Sequence, residues 1–309
     1  MNPANGFERV EGADSISVFS GGFAGPRLAP VRRIPSPPLE GFHDRVVRPY
    51  RPVLLDGLIA DWPALREWTM DFFIRVYGRY RWNVLAKDDG GYAAASLYGY
   101  DNPVPVGEHL RKALEFETED YMNVPFETLP AELAAMAPPI PYVQASRYLH
   151  RAVFIGSEIN GAPLHFHLCQ NMLAQVFGRK RVLLFHPGEG RRLGWKGPLS
   201  ASPNFIPMDP FDPERRYWET YQRASGYIVD LEPGDALYIP YGWWHATKIL
   251  SPSISLFNRW ASGWRYVPIM ISAAFDRVVA ALTRVRKPRV TPERTPELDP
   301  PTGSTAGAG

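Results

Sequence analysis

Two histidines flank a single phenylalanine in His165-Phe166-His167, and a third, His245, closes the run PGDALYIPYGWWH that begins at Pro233. In an extended strand alternate side chains share a face, so His165 and His167 should project together, their Cβ atoms about 6.5 Å apart from two rises of about 3.3 Å. Imidazoles at that spacing can lean onto one metal ion. A third ligand must come from elsewhere, and His245 is the candidate. Cys169 shares the face of His165 and His167 if the strand runs on unbroken. A single cysteine more often behaves as a small buried hydrophobe, and Cys169 is read that way.

The surroundings of these histidines are rich in strands. Short apolar runs alternate with Gly, Pro and Asp turns at residues 152–155, 164–175, 181–185, 227–231, 236–239 and 253–257. Six short strands with little helix between them indicate a mostly β fold, an antiparallel barrel or double-sheet jelly roll. Further strands are expected at the end of the run 48–56 and over 80–85 and 120–124, with flanking helices over 70–77, 107–116 and 129–136. The order of these elements predicts a domain over residues 40–286, an N-terminal arm over 1–39 and a disordered Pro/Thr/Gly/Ala-rich tail over 287–309.

Composition narrows the class of function. The chain has 309 residues, 45% of them hydrophobic and 13% aromatic, which is ample for a packed β-rich core. A net charge of +2 gives no reason to expect a nucleic-acid partner. The single cysteine, Cys169, excludes an intrachain disulfide framework and a cysteine-rich zinc site. No early apolar run resembles a secretory signal, and the apolar stretch 267–282 is interrupted by Asp276 and Arg277. Cytoplasmic location without a membrane span is the expectation.

The combination of His165, His167, Asn171, the Gly178-Arg179-Lys180 turn and PGDALYIPYGWWH resembles the cupin-like JmjC oxygenases, over roughly residues 40 to 265. That resemblance implies a double-stranded β-helix and the use of Fe(II), 2-oxoglutarate and O₂ to hydroxylate or demethylate a substrate. Position by position, it implies that His165 and His245 are the first and last metal ligands. It also implies that Lys180 and Tyr121 hold the distal carboxylate of 2-oxoglutarate and that Asn171 and Asn258 lie near its proximal end. A small-molecule or peptide substrate is expected.

The chain departs from the family in two places. Where relatives carry Asp or Glu as the middle ligand it has His167, and Ala162 stands where a threonine hydroxyl is frequent. Three neutral imidazoles keep the ligand number but remove one negative charge. Such a face still takes Fe(II), but it also suits Zn²⁺ and other late divalent metals. Two alternatives therefore stand beside the 2-oxoglutarate oxygenase: a three-histidine cupin dioxygenase that needs no 2-oxoglutarate, and a catalytically silent metal-binding or scaffold protein.

The remaining features are peripheral to the metal ligands. His186 is read as structural, and Trp243 and Trp244 as walls of the site and core. The loop from Gly190 to Tyr217 is expected to cover the cleft. Between Val267 and Val285 apolar residues recur at three- and four-residue steps, an amphipathic stripe. Such a helix can cap the barrel of its own chain, or form a homodimer as the resemblance implies.

Overall fold

A computed structural model describes residues 23–85, 103–143, 146, 148–198, 200 and 203–261. The chain-order strands are β1 (Arg27–Pro30), β2 (Arg32–Pro35), β3 (Val53–Asp56), β4 (Arg81–Leu85) and β5 (Pro103–Pro105). They continue with β6 (Tyr121–Pro125), β7 (Tyr148–Gly156), β8 (Gly161–His165), β9 (Gln170–Phe177) and β10 (Lys180–Phe185). The last five are β11 (Phe205–Ile206), β12 (Ser225–Leu231), β13 (Ala236–Ile239), β14 (Trp244–Ile249) and β15 (Ser253–Ala261).

They form two sheets, ordered β1-β12-β10-β14-β8-β11 and β2-β3-β13-β9-β15-β7-β6-β4-β5. The inner faces meet through Leu173, Val182, Leu184, Leu237 and Phe257, which belong to one buried apolar cluster drawn from both sheets. Alternation then sends the intervening residues outward. Met172, Ala174, Tyr238 and Leu256 pack on the outer face of the larger sheet, beneath helices Met70–Val76 and Val106–Leu114. Leu183, Phe185 and Ala246 pack on the outer face of the smaller sheet, together with Tyr221 of helix Arg215–Tyr221. This is the expected mostly β jelly roll with flanking helices. Among the described residues no helix is long and apolar enough to cross a membrane.

Two pairs of crossings between the sheets fix the cavity. The chain passes between sheets after β8 and again after β13, and the two crossings are tied where Gly242 N–H donates to the His167 carbonyl at 2.9 Å. At the other end it crosses after β9 and after β14, tied by Leu250 N–H to the Arg179 carbonyl at 2.9 Å. Gly178 turns this second corner at φ 68, and a Cβ there would collide with the Pro252 carbonyl oxygen. Only glycine meets both demands. Lys180 follows two residues later.

Several elements differ from expectation. The run 164–175 is two strands in different sheets, because the chain turns over between His165 and Gln170 instead of continuing. Part of the N-terminal arm is paired: β1 lies parallel to β12 and β2 parallel to β3. Both occupy sheet edges, where Pro30 and Pro35 need not donate to a further neighbour. β14, which carries His245, has no turn-bounded apolar run to announce it. The expected tail over 287–309 and the apolar stripe from Val267 to Val285, with its dimer contact, lie outside the described residues.

Candidate metal centre

His165 ends β8 and His245 lies in β14, directly opposite each other in the antiparallel ladder. Each ring places Nδ1 on a carbonyl two residues back: His165 on Pro163 at 2.7 Å, His245 on Trp243 at 2.9 Å. A carbonyl can only accept, so Nδ1 carries the proton and Nε2 keeps its lone pair for a metal. His167 comes from the turn after β8 and not from the same strand, correcting the alternation argument. Its Nε2 nevertheless lies 3.0 Å from that of His165. One ligand atom from each of the three lies within 4.8 Å of the others. The Phe205 ring of β11 stacks on His165 with centroids 5.4 Å apart.

Burial keeps these rings neutral. It pushes His245 down to about 4 and His165 and His167 well below the ordinary histidine range. The Arg259 guanidinium acts in the same direction on all three. Three neutral nitrogen donors with two fixed tautomers suit a divalent ion, and their chemistry fits Fe(II) as well as Zn²⁺.

Lys180 begins β10 and is 1% exposed. Its Nζ donates to the Tyr121 hydroxyl at 3.0 Å and to the Ser255 hydroxyl, and it sits 5.9 Å from the Phe154 ring centroid. No carboxylate among the described residues pairs with it. Burial pushes its ammonium down to about 7. A buried cation without an anion is costly in the fold, and the cost is relieved by a ligand that brings a carboxylate.

The two asparagines separate. Asn171, on β9, is buried with an Oδ1 that meets no donor among the described residues, and it faces the same side as Leu173 in the inter-sheet cluster. Asn258 does not join this cavity. Ser255 points inward to Lys180, so three residues later on the same strand the side chain points outward. There the Asn258 Oδ1 accepts from Arg151 Nε at 2.9 Å, and the Arg151 guanidinium lies 3.6 Å from the Phe126 ring centroid.

Cys169 is buried in the turn but is not among the clustered ligands. It lines a separate cavity of about 420 Å³ with Phe42, Tyr142 and Trp260, and burial pushes its thiol up to about 11. His186 accepts from Gly188 N–H at 3.1 Å and caps a short turn. Trp244 packs on the outer cluster and Trp243 on the inner one. Within the loop 190–217, Phe205 reaches the metal end, while Trp195 and Tyr217 pack on the outer face.

Sequence reasoning does not single out Ser255, Thr247 or Arg259. Thr247 lies opposite Ala162 and its Oγ1 accepts from Ala162 N–H at 3.0 Å, so a hydroxyl stands across the ladder from the alanine. A period-two count back and forward from any inward residue of β15 is the signal that finds Ser255 and Arg259.

Residues 139–263 match the model of the cupin-like domain family. The matched residues include all three histidines and Lys180. This part of the chain is a cupin-like JmjC domain. The chain is 26% identical to lysine-specific demethylase 8 of Xenopus tropicalis over 75% of its own length and 53% of that protein. It is 25% identical to Jumonji C domain-containing protein 5 of Drosophila melanogaster, over 76% of this chain and 63% of that protein. It is also 25% identical to the human bifunctional peptidase and (3S)-lysyl hydroxylase JMJD7, over 71% and 80%. The alignments thus span a little over half of the first relative and under two thirds of the second. In this cupin-like domain His245 and Lys180 lie at opposite ends of the face that the smaller sheet turns toward the larger.

Proposed function

We propose that this chain is an Fe(II)- and 2-oxoglutarate-dependent oxygenase of the hydroxylase type, acting on a small-molecule or peptide substrate. The observation that carries the reading is Lys180, a buried ammonium without a carboxylate partner among the described residues, on the same inward sheet face as His245 and the imidazoles that converge with it. A dicarboxylate that chelates a metal with one end and meets an ammonium with the other matches that pair of features.

His165, His167 and His245 would hold the metal through Nε2, the first and last held in register by the Pro163 and Trp243 carbonyls. Lys180 would hold the distal carboxylate, and the Tyr121 hydroxyl, which accepts from Nζ, can turn its own proton toward the same oxygen. Asn171 offers an amide between the two ends. When bound, iron would let O₂ act as the oxidant, with 2-oxoglutarate as the co-reductant that takes one oxygen atom to give succinate and carbon dioxide and a substrate C–H bond taking the other to give an alcohol. Phe205, stacked on His165, limits water at the metal end.

Iron-loaded protein given 2-oxoglutarate under air is expected to release succinate, and Lys180→Ala is expected to abolish both binding and release. Absence of 2-oxoglutarate binding by the wild type would remove the reading.

The neutral donor set supports a second reading, a metal-holding protein without turnover. Zinc as the sole metal in protein from unsupplemented cells, with no O₂ consumption, would select it. Oxygen consumption indifferent to 2-oxoglutarate would instead select a three-histidine cupin dioxygenase whose substrate chelates the metal itself.

A further inference from the structure

β9 emerges from the turn that carries His167, and its first residue, Gln170, lies on the outer face of the larger sheet. Gln170 stands opposite Trp260 of β15, which stands opposite Leu149 of β7, so the three form one rung. Over that rung lies the helix Leu39–Phe42, which widens into a π turn over His43–Val47. Turns of that kind are rare and recur at functional sites. Phe42 stacks on Tyr142 with centroids 3.8 Å apart and lies 6.2 Å from the Trp260 ring. These rings wall the cavity of about 420 Å³, a size within the range of about 300–1,000 Å³ that ligand sites occupy.

Gln170 is 7% exposed, and its neighbours orient its amide. The Tyr241 backbone N–H, which can only donate, reaches Oε1 at 3.3 Å, and the Tyr238 hydroxyl donates to the same atom. Nε2 therefore faces elsewhere, and it meets no acceptor among the described residues. Gln170 lines the cavity, and a ligand there can bring the acceptor that this donor lacks. No Lys, Arg, Asp or Glu side chain lines the cavity among the described residues, so a charged group would enter it without compensation. The matching ligand is an uncharged carbonyl on an apolar body.

The rim says how large that ligand is. Leu39 lines the cavity and Leu149 lies beside Trp260, and they are two of the four exposed large apolar side chains among the described residues. An occupant confined within the walls leaves both in water, whereas a chain that runs on over the rim covers them. The cavity is also close to the metal ligands. Cys169 in its wall is two residues from His167, a span of about 7 Å of extended chain, and Tyr241 precedes Gly242, whose N–H holds the His167 carbonyl.

We propose that this cavity receives an apolar side chain of a peptide substrate, with Gln170 Nε2 donating to a backbone carbonyl beside it. The inference rests on the oxygenase reading above and narrows its substrate to a peptide.

The test first leaves out metal and 2-oxoglutarate. Full-length protein is titrated by ligand-observed NMR with N-acetylphenylalanine N-methylamide, N-acetylglycine N-methylamide and toluene. The capped phenylalanine is expected to bind saturably and the other two at least fivefold more weakly, since one lacks the side chain and the other the carbonyl. Gln170→Glu keeps an oxygen for Tyr238 and Tyr241 but replaces the donor, and it should weaken the capped phenylalanine at least fivefold while leaving toluene within twofold. No saturable binding of the capped phenylalanine, or an equal effect of Gln170→Glu on it and on toluene, would overturn the inference. Should Gln170→Glu melt well below the wild type, Val47→Trp carries the comparison by setting an indole in the half-buried wall: loss of the capped phenylalanine supports the inference, and wild-type affinity overturns it. Iron-loaded protein with 2-oxoglutarate is then given a pool of random decapeptides. A rise in succinate release that excess capped phenylalanine suppresses supports the substrate role, and a rise that it leaves untouched, or no rise, overturns it. Wild type that binds the capped phenylalanine but not 2-oxoglutarate defeats the oxygenase reading and the substrate role with it. Wild type that binds 2-oxoglutarate but not the capped phenylalanine defeats this inference alone.

Discussion

His165 and His245 face each other across neighbouring antiparallel strands, and each rests Nδ1 on the carbonyl two residues behind it. The same local device on two distant segments makes both rings present a bare Nε2. The site is therefore organised before any ion arrives. A divalent metal should raise the melting temperature by several degrees, because it binds the folded trio and not the dispersed histidines of the unfolded chain. EDTA should reverse the rise, and His165→Ala or His245→Ala should abolish it. Thermal melts with and without Mn²⁺ or Zn²⁺ check this.

His167→Asp replaces a borderline nitrogen donor by a hard anionic oxygen. Relative affinity should move from Cu²⁺ and Zn²⁺ toward Mn²⁺ and Fe²⁺. Competition dialysis with metal analysis on the two proteins measures the shift, and an unchanged metal ratio would show that the turn carrying residue 167 does not reach the ion.

Lys180 makes cosubstrate binding depend on pH. In the free protein burial holds its ammonium at about 7, below its ordinary value of 10.5, so it loses charge as pH rises through 7. A bound carboxylate favours the charged form and raises that value again. Affinity for 2-oxoglutarate should fall with pH above about 7, approaching tenfold for each further pH step of one, with uptake of one proton at pH 8. Calorimetry in buffers of different ionisation enthalpy reads the proton directly.

The same residue should cost the ligand-free fold. Its folded value is depressed, so the unfolded chain binds the extra proton between about pH 7 and 10.5, and stability rises with pH across that window. Lys180→Met should stabilise the apoprotein at pH 7 by roughly 3–5 kcal/mol, because each tenfold loss of proton affinity on folding costs about 1.4 kcal/mol, and it should flatten this rise. Denaturant melts at pH 7 and 9 test both.

Asn171 and Asn258 should separate by phenotype. Asn258→Ala leaves the buried Arg151 Nε without its acceptor and should destabilise the fold by about 1–3 kcal/mol. Asn171→Ala removes an Oδ1 that has no partner to lose among the described residues, so it should leave the melting temperature nearly unchanged while weakening 2-oxoglutarate binding. Melting curves and titrations on the same two variants decide it.

The amino-acid sequence by itself determined the strand-rich class, most of the strands and helices, and the histidines and Lys180 as a set. These depend on local quantities: apolar alternation, turn residues, and residue types whose chemistry is distinctive wherever they stand. Tertiary structure decided which side of a strand each residue takes. Alternation is fixed only relative to a neighbour of known direction, and that neighbour, Lys180 against Ser255, is distant in the chain. For this reason sequence alone assigns Asn258 to the cavity and passes over Arg259, though they are adjacent. The break after His165 is equally hidden, because a crossing between sheets is stabilised by a bond to Gly242 on a remote segment and leaves no gap in the local apolar pattern.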